Sequence, residues 1–192
     1  LDDEDATSRV IDDHGWFHTG DLGEFTRDGL RILGRKDGAF KLTTGEKVHP
    51  QRVENTLVNE SPFIGTAVVV GSGKDYVSTL VFPDFARLQG WADEQGIHAP
   101  VLTADPIIRE LFASEVARIN PQIEVKYQRV KRVILAGREP SLERGELTPS
   151  TKIVRQRVFD SFKHEIEELF KASPSDLVIE IQEQPLAGEL AG

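Results

Sequence analysis

The sequence contains no cysteine and no methionine. The first absence excludes disulfides, thiolate zinc sites and a cysteine nucleophile, and it fits the reducing cytoplasm. The second leaves a chain that opens on "LDDEDATSRV" with no start residue, as expected of one processed or excerpted from something longer. No apolar run approaches the length a membrane span needs, so no transmembrane segment is expected. Basic residues are outnumbered: 23 Lys and Arg against 32 Asp and Glu leave a formal charge of −9. Such a field opposes nucleic acid, and a polyanionic ligand would need a local basic pocket. The five histidines (His14, His18, His49, His98 and His164) are spread along the chain, and no structural metal is expected.

What is present suits a soluble α+β protein. With 192 residues, 39% hydrophobic and 29% charged, one packed domain with a small appendage is the default. Asp2, Asp3, Glu4 and Asp5 read as a solvated end. Residues 15–34 alternate apolar and polar positions around Arg27-Asp28-Gly29, which predicts two short strands joined by a turn. A glycine-containing loop follows, and Pro50 opens a helix with Val53, Leu57 and Val58 on one face. "GTAVVVG" and "YVSTLVFP" are β-branched runs expected to pair antiparallel across Ser72-Gly73-Lys74-Asp75.

Asp84 is placed to cap a helix carrying Phe85, Leu88, Trp91 and Ala92, with Gly96 at its end. Asp105-Pro106 opens another, bearing Ile107, Leu111, Val116 and Ile119. "VKRVILA" reads as a strand. Val154, Val158, Phe159, Phe162, Ile166, Leu169 and Phe170 recur at steps of three and four, which predicts one packed helix. The start of "VIEIQEQPLAGELAG" suits a further strand, and its end a mobile tail.

Three segments carry chemistry. "HTGDLGEF" places Asp21 in a turn, where its two oxygens suit the vicinal hydroxyls of a ribose; the alternative is an aspartate bonding its own backbone. In "GRKDGAFKLTTGEKVHPQRVE", Arg35 suits a nucleotide ribose or phosphate, and Gly45 permits close backbone approach by a narrow ligand. A surface ion pair and an ordinary turn are the plainer readings of these two. "GELTPSTKIVR" sets Lys152 among hydroxyls, a proline and a glycine just before a helix. "GSGK" at residues 71–74 has neither the glycine spacing nor the following helix of a phosphate loop, and reads as a turn.

These motifs, in this order and spacing, resemble the C-terminal portion of the adenylate-forming (AMP-binding) enzymes: acyl-CoA synthetases, luciferases and peptide-synthetase adenylation domains. The likeness is strongest to long- or medium-chain fatty acyl-CoA synthetases and spans about residues 10–170. It implies a small mixed domain with a short N-terminal hairpin, a central antiparallel sheet and packing helices. It implies that Lys152 reaches the α-phosphate and the substrate carboxylate while an acyl-adenylate forms, with Ser150 and Thr151 orienting its loop and Gly145 and Pro149 limiting its shape. Asp21 and Arg35 then serve the ATP ribose and its phosphate neighbourhood, and Asp37 falls at the hinge about which the domain swings. Gly45 lines the path of the pantetheine thiol, and Lys41 and Lys47 either help receive an anionic acceptor or belong to a solvated face. Where the family often has an acidic residue immediately after the hinge, this chain has Gly38.

The resemblance further implies that residues 1–34 are the last part of a large N-terminal domain, residues 35–172 a mobile C-terminal domain, and residues 173–192 an extension. The expected parent is a cytoplasmic ligase, free or peripheral at a membrane. It would use ATP with magnesium, a fatty acid and CoA, the ATP and magnesium being held mainly by the large domain. The isolated chain is expected to be inactive. Loading of an acyl carrier protein in place of CoA, and a non-catalytic interaction module, are the competing functions.

Overall fold

A computed structural model describes residues 11, 14–19, 21–27, 29–35 and 38–182. The first hairpin pairs β1 (Asp21–Thr26) with β2 (Gly29–Arg35). Its turn is closed by the Thr26 hydroxyl, which donates to the Gly29 carbonyl at 2.9 Å, while Gly29 adopts a φ of 125° that a side chain would resist. Asp28 of the expected turn lies outside the described residues. The strands are shorter than expected: residues 15–19 precede β1, with Phe17 bridged to Ile11.

A second, smaller hairpin, β3 (Phe40–Lys41) and β4 (Lys47–Val48), leads into α1 (Pro50–Glu60). The central sheet has the order β5 (Ile64–Val70), β6 (Val77–Pro83), β7 (Val130–Leu135), β8 (Val178–Glu180). The α+β class and the β5–β6 antiparallel pairing are as expected, as is a strand at the start of the "VIEIQ" run. The sheet is mixed, however, because β6 and β7 are parallel. Two helices, α2 (Phe85–Glu94) and α3 (Pro106–Ile119), fill the connection between those strands, and a long crossover returns the chain in the same direction.

Caps set these helices. Asp84 accepts from the Arg87 N–H at 3.0 Å, and Asp105 from those of Ile107 and Ile108 at 2.8 and 3.4 Å. Past α2, Gly96 at φ 71° lets the Ile97 N–H reach back to the Ala92 carbonyl at 2.8 Å. On α3 the buried stripe is Ile108, Phe112, Val116 and Ile119, one residue off from the expected one at its start; Ile107 is exposed.

Alternation along the strands divides the core in two. Ala67, Val69, Val81, Val133 and Ile179 face α1, α2 and α3, and Leu42 and Val48 of the second hairpin join this cluster. Val68, Val70, Leu80, Phe82, Ile134 and Val178 face the other way, against Val158, Phe162 and Leu169. These last belong to α4 (Arg155–Ser161), α5 (Lys163–Glu168) and their junctions, where one continuous helix was expected. At Phe162 the backbone leaves helical values, at φ −115° and ψ 28°. It remains hydrogen-bonded on both sides, its N–H to Val158 and its carbonyl to Ile166, each at 2.9 Å. The kink seats its ring edge-on to Phe82, centroids 5.2 Å apart. Among the described residues no helix is long and apolar enough to cross a membrane.

Candidate active site

Lys152 sits beside the tip of a tight hairpin. Leu147 and Ile153 form an antiparallel bridge; the Val154 N–H donates to the Glu146 carbonyl at 2.8 Å and the Thr148 N–H to the Lys152 carbonyl at 2.8 Å. Pro149 follows Thr148, where its fixed φ favours a turn, and the Thr151 N–H closes that turn on the Thr148 carbonyl at 2.8 Å. Thr151 itself is at φ 60°, the only non-glycine residue with positive φ among those described. A β-branched residue there is strained. The hydroxyls hold the turn: Thr148 accepts from the Lys152 N–H at 3.1 Å and lies 3.0 Å from the Ser150 hydroxyl, while Thr151 donates to the Ser150 carbonyl at 2.7 Å. The side chain of Lys152 is exposed, and none of the described residues hydrogen-bonds or ion-pairs with its ammonium.

The base of the hairpin is anchored by a fully buried carboxylate. Glu146 takes both arms of the Arg138 guanidinium, at 2.6 and 2.7 Å, and the Ser141 N–H at 2.8 Å. The Arg138 bonds outweigh desolvation, and with help from Ser161 and Ser141 they hold the Glu146 pKa down at about 2. Arg138 also lies over the Phe162 ring, 4.6 Å from its centroid.

The exit of the hairpin is tied elsewhere. Arg155 pairs with both carboxylate oxygens of Glu54 on α1, and its other arm donates to the Val69 carbonyl at 3.3 Å. Glu54 in turn accepts from the Val69 N–H at 2.7 Å. One ion pair thereby occupies both outward-facing backbone groups of Val69 on an edge strand. Burial raises the Glu54 pKa, and Arg155 opposes that shift. Glu146, Arg138, Glu54 and Arg155 were not singled out from sequence, since their partners lie 8 and 101 residues apart.

Gly45 occupies the β3–β4 turn at φ 90°, its N–H donating to the Leu42 carbonyl at 3.0 Å. The "GSGK" turn braces this loop. The Gly73 N–H donates to the Lys41 carbonyl at 2.9 Å, the Thr43 N–H to the Lys74 carbonyl at 3.0 Å, and the Thr43 hydroxyl to Asp75 at 2.5 Å. Lys41 and Lys47 are exposed on the same hairpin. His49, just before α1, has its pKa lowered by desolvation first and then by Lys47 and Arg52.

The two hairpins are rooted on opposite faces of the sheet. Leu42 and Val48 anchor the Gly45 loop in the α1–α3 core, and Ile153 packs the Lys152 loop against the other. Asp21 and Arg35 are cross-strand partners at the open end of β1–β2, so the backbone brings those two residues together. Asp37 lies outside the described residues. Among the described residues no cluster of three or more acidic or histidine side chains is arranged to hold a metal ion.

Comparison with known proteins puts a domain with these features in the adenylate-forming superfamily. The family profile described as the AMP-binding enzyme C-terminal domain matches residues 37–174, and the chain is a member of that family. Among curated relatives, the long-chain-fatty-acid-CoA ligase 6 of Homo sapiens is 31% identical over 177 residues, covering 90% of this chain and 25% of the relative. The ligase 1 of the same organism is 29% identical over 174 residues, covering 88% and 25%. The chain thus spans a quarter of the length of these relatives. The adenylation domain of a carboxylate reductase from Mycobacterium chelonae shares the fold at a TM-score of 0.67 and 23% identity, covering 87% of this chain and 25% of that one. The corresponding domain from Segniliparus rugosus, solved with AMP and a co-purified carboxylic acid, gives 0.66 and 21%, covering 86% and 25%.

Proposed function

We propose that this chain is the C-terminal part of an ATP-dependent acyl-CoA ligase acting on a fatty acid. The observation that carries the reading is the pair of chemically distinct hairpins on opposite faces of one sheet. In the first step a carboxylate oxygen attacks the α-phosphorus of ATP, and pyrophosphate leaves. Two anions meet there, and the uncommitted ammonium of Lys152 stabilises the charge that builds between them. In the second step the CoA thiol, losing its proton, attacks the acyl carbonyl, and AMP leaves. Gly45 gives the thiol a narrow approach past bare backbone.

Two hairpins rooted on opposite faces of one sheet are suited to separate steps. The domain swings between the steps, with Asp37 as its hinge, while Asp21 and Arg35 hold the ribose end. Residues 1–34 belong with a large nucleotide-binding domain, a reading supported by the exposure of Trp16, Phe17, Phe25 and Leu30. Magnesium travels with the ATP triphosphate and is held mainly by the large domain.

The identity to long-chain ligases supports CoA as acceptor and a fatty acid as substrate. Mass spectrometry of products tests both. The full-length enzyme is given ATP, magnesium and a panel of fatty acids, with and without CoA. Acyl-CoA appearing only with CoA is expected. Acyl-AMP accumulating unchanged in both tubes would overturn the CoA assignment and point to a carrier-protein thiol.

A further inference from the structure

We propose that Glu146, gripped by Arg138, is a positioning residue for Lys152, fixing the hairpin on which that lysine is carried. The proposal rests on the reading that Lys152 acts in adenylation. Three observations lead to it.

The first is that Glu146 is a fully buried carboxylate that ties its own loop together and faces the end of α4. Arg138 and Ser141 belong to the loop after β7, and Ser161 ends α4. A buried ion pair is seldom the most stable filling for a core, and apolar side chains of equal volume often do as well. What it supplies is a fixed geometry, because a bidentate fork accepts one orientation. Packing of the guanidinium on the Phe162 ring fixes that fork from behind.

The second is that the backbone of Glu146 is itself a rung of the Lys152 hairpin. Its carbonyl accepts from the Val154 N–H at 2.8 Å and its N–H donates to the Ser141 carbonyl at 3.0 Å. Leu147–Ile153 is the next rung, and Thr148–Lys152 the last. Lys152 is therefore held two rungs out from the buried carboxylate.

The third is that the Lys152 side chain has no partner of its own. Its side chain is exposed, no described residue pairs with its ammonium, and its flexible stem adds no rigidity. Where the ammonium can reach is set by the hairpin alone, and the hairpin carries strain at Thr151. Releasing Glu146 lets that strain relax by moving the turn.

The test separates positioning from general support of the fold. E146Q and R138K are made in the full-length enzyme beside K152A. Each is assayed for acid-dependent ATP–pyrophosphate exchange and for acyl transfer from preformed acyl-AMP to CoA. Hydrogen exchange is followed on the 192-residue chain carrying the same changes. E146Q is expected to lower the exchange rate constant about 100-fold, the scale of a 1 Å misplacement, with R138K lowering it less in the same sense. Acyl transfer stays within about twofold. The Thr148 and Val154 amides open locally, while those of β5, β6 and β7 lose no more protection than the global loss of stability accounts for. Should E146Q fail to fold, R138K decides, since its exposed edge tolerates a shorter cation.

K152A crippling exchange while E146Q and R138K leave it intact would overturn the positioning role alone. K152A leaving exchange intact would overturn the Lys152 reading and this proposal together. Equal loss of both half-reactions, with the hairpin amides losing no more protection than the global loss of stability accounts for, would reduce Glu146 to a pillar of the fold.

Discussion

Replacing Arg155 with methionine removes the cation from the edge-strand clamp and leaves Glu54 with the Val69 N–H as its main partner. Glu54 is 12% exposed at its side chain, too little for water to take the arginine's place. Breaking a buried pair from one side costs about 3–5 kcal/mol, and the partial exposure of Arg155 favours the lower end. For a chain of this size, about 3 kcal/mol lowers the melting temperature by about 6–12 °C. The sign of the pH dependence follows from Glu54. Burial already raises its pKa, Arg155 is the first of the groups lowering it, and removing Arg155 raises it further. The native variant then binds a proton that the unfolded chain does not, so it gains stability as pH falls. The deficit is largest at alkaline pH and shrinks as pH falls towards the ordinary carboxylate range. Urea unfolding at several pH values measures this, and E54Q combined with R155M should recover most of the loss. A deficit under about 1 kcal/mol, or one independent of pH and untouched by E54Q, would refute the clamp.

Acid should find the other buried pair. Glu146 is held at about 2 against an ordinary 4.5. Its contribution, on the order of 3 kcal/mol, is present above the ordinary value and is lost as pH falls towards 2. Acid titration of stability should show E146Q flatter than the native chain across that range. Thr151→Gly relieves a left-handed backbone and should raise stability by about 1 kcal/mol in urea. Gly71→Ala places a Cβ 2.9 Å from the Tyr76 carbonyl and 3.2 Å from the Phe40 ring, at a φ of 150°. It should cost about 2 kcal/mol, disturb the turn bracing the Gly45 loop, and slow acyl transfer to CoA more than adenylation.

Local chemistry made most elements legible. Asp84, Asp105 and Gly96 cap and stop helices where their side chains or backbone freedom demand, and the two valine-rich runs pair as their composition suggests. The parallel β6–β7 pairing was not legible, because strand direction depends on how two intervening helices pack. Nor was the kink at Phe162, whose cause is a ring seated against Phe82 from a distant strand. The α3 stripe was misplaced at its start because Ile107 and Ile108 are adjacent and equally apolar, leaving packing to choose between them. At the candidate site, Lys152 and Gly45 stood out through their unusual neighbours. Glu146 did not, since a glutamate in a polar loop looks solvated until Arg138 is seen to fold over it.

The most direct measurement compares the two half-reactions of the full-length enzyme carrying Lys152→Ala. If Lys152 meets only the charge that develops at the α-phosphate, adenylation collapses while acyl transfer from preformed acyl-AMP to CoA proceeds largely as in the native enzyme. Equal loss of both steps would contradict a division of labour between the two faces of the sheet.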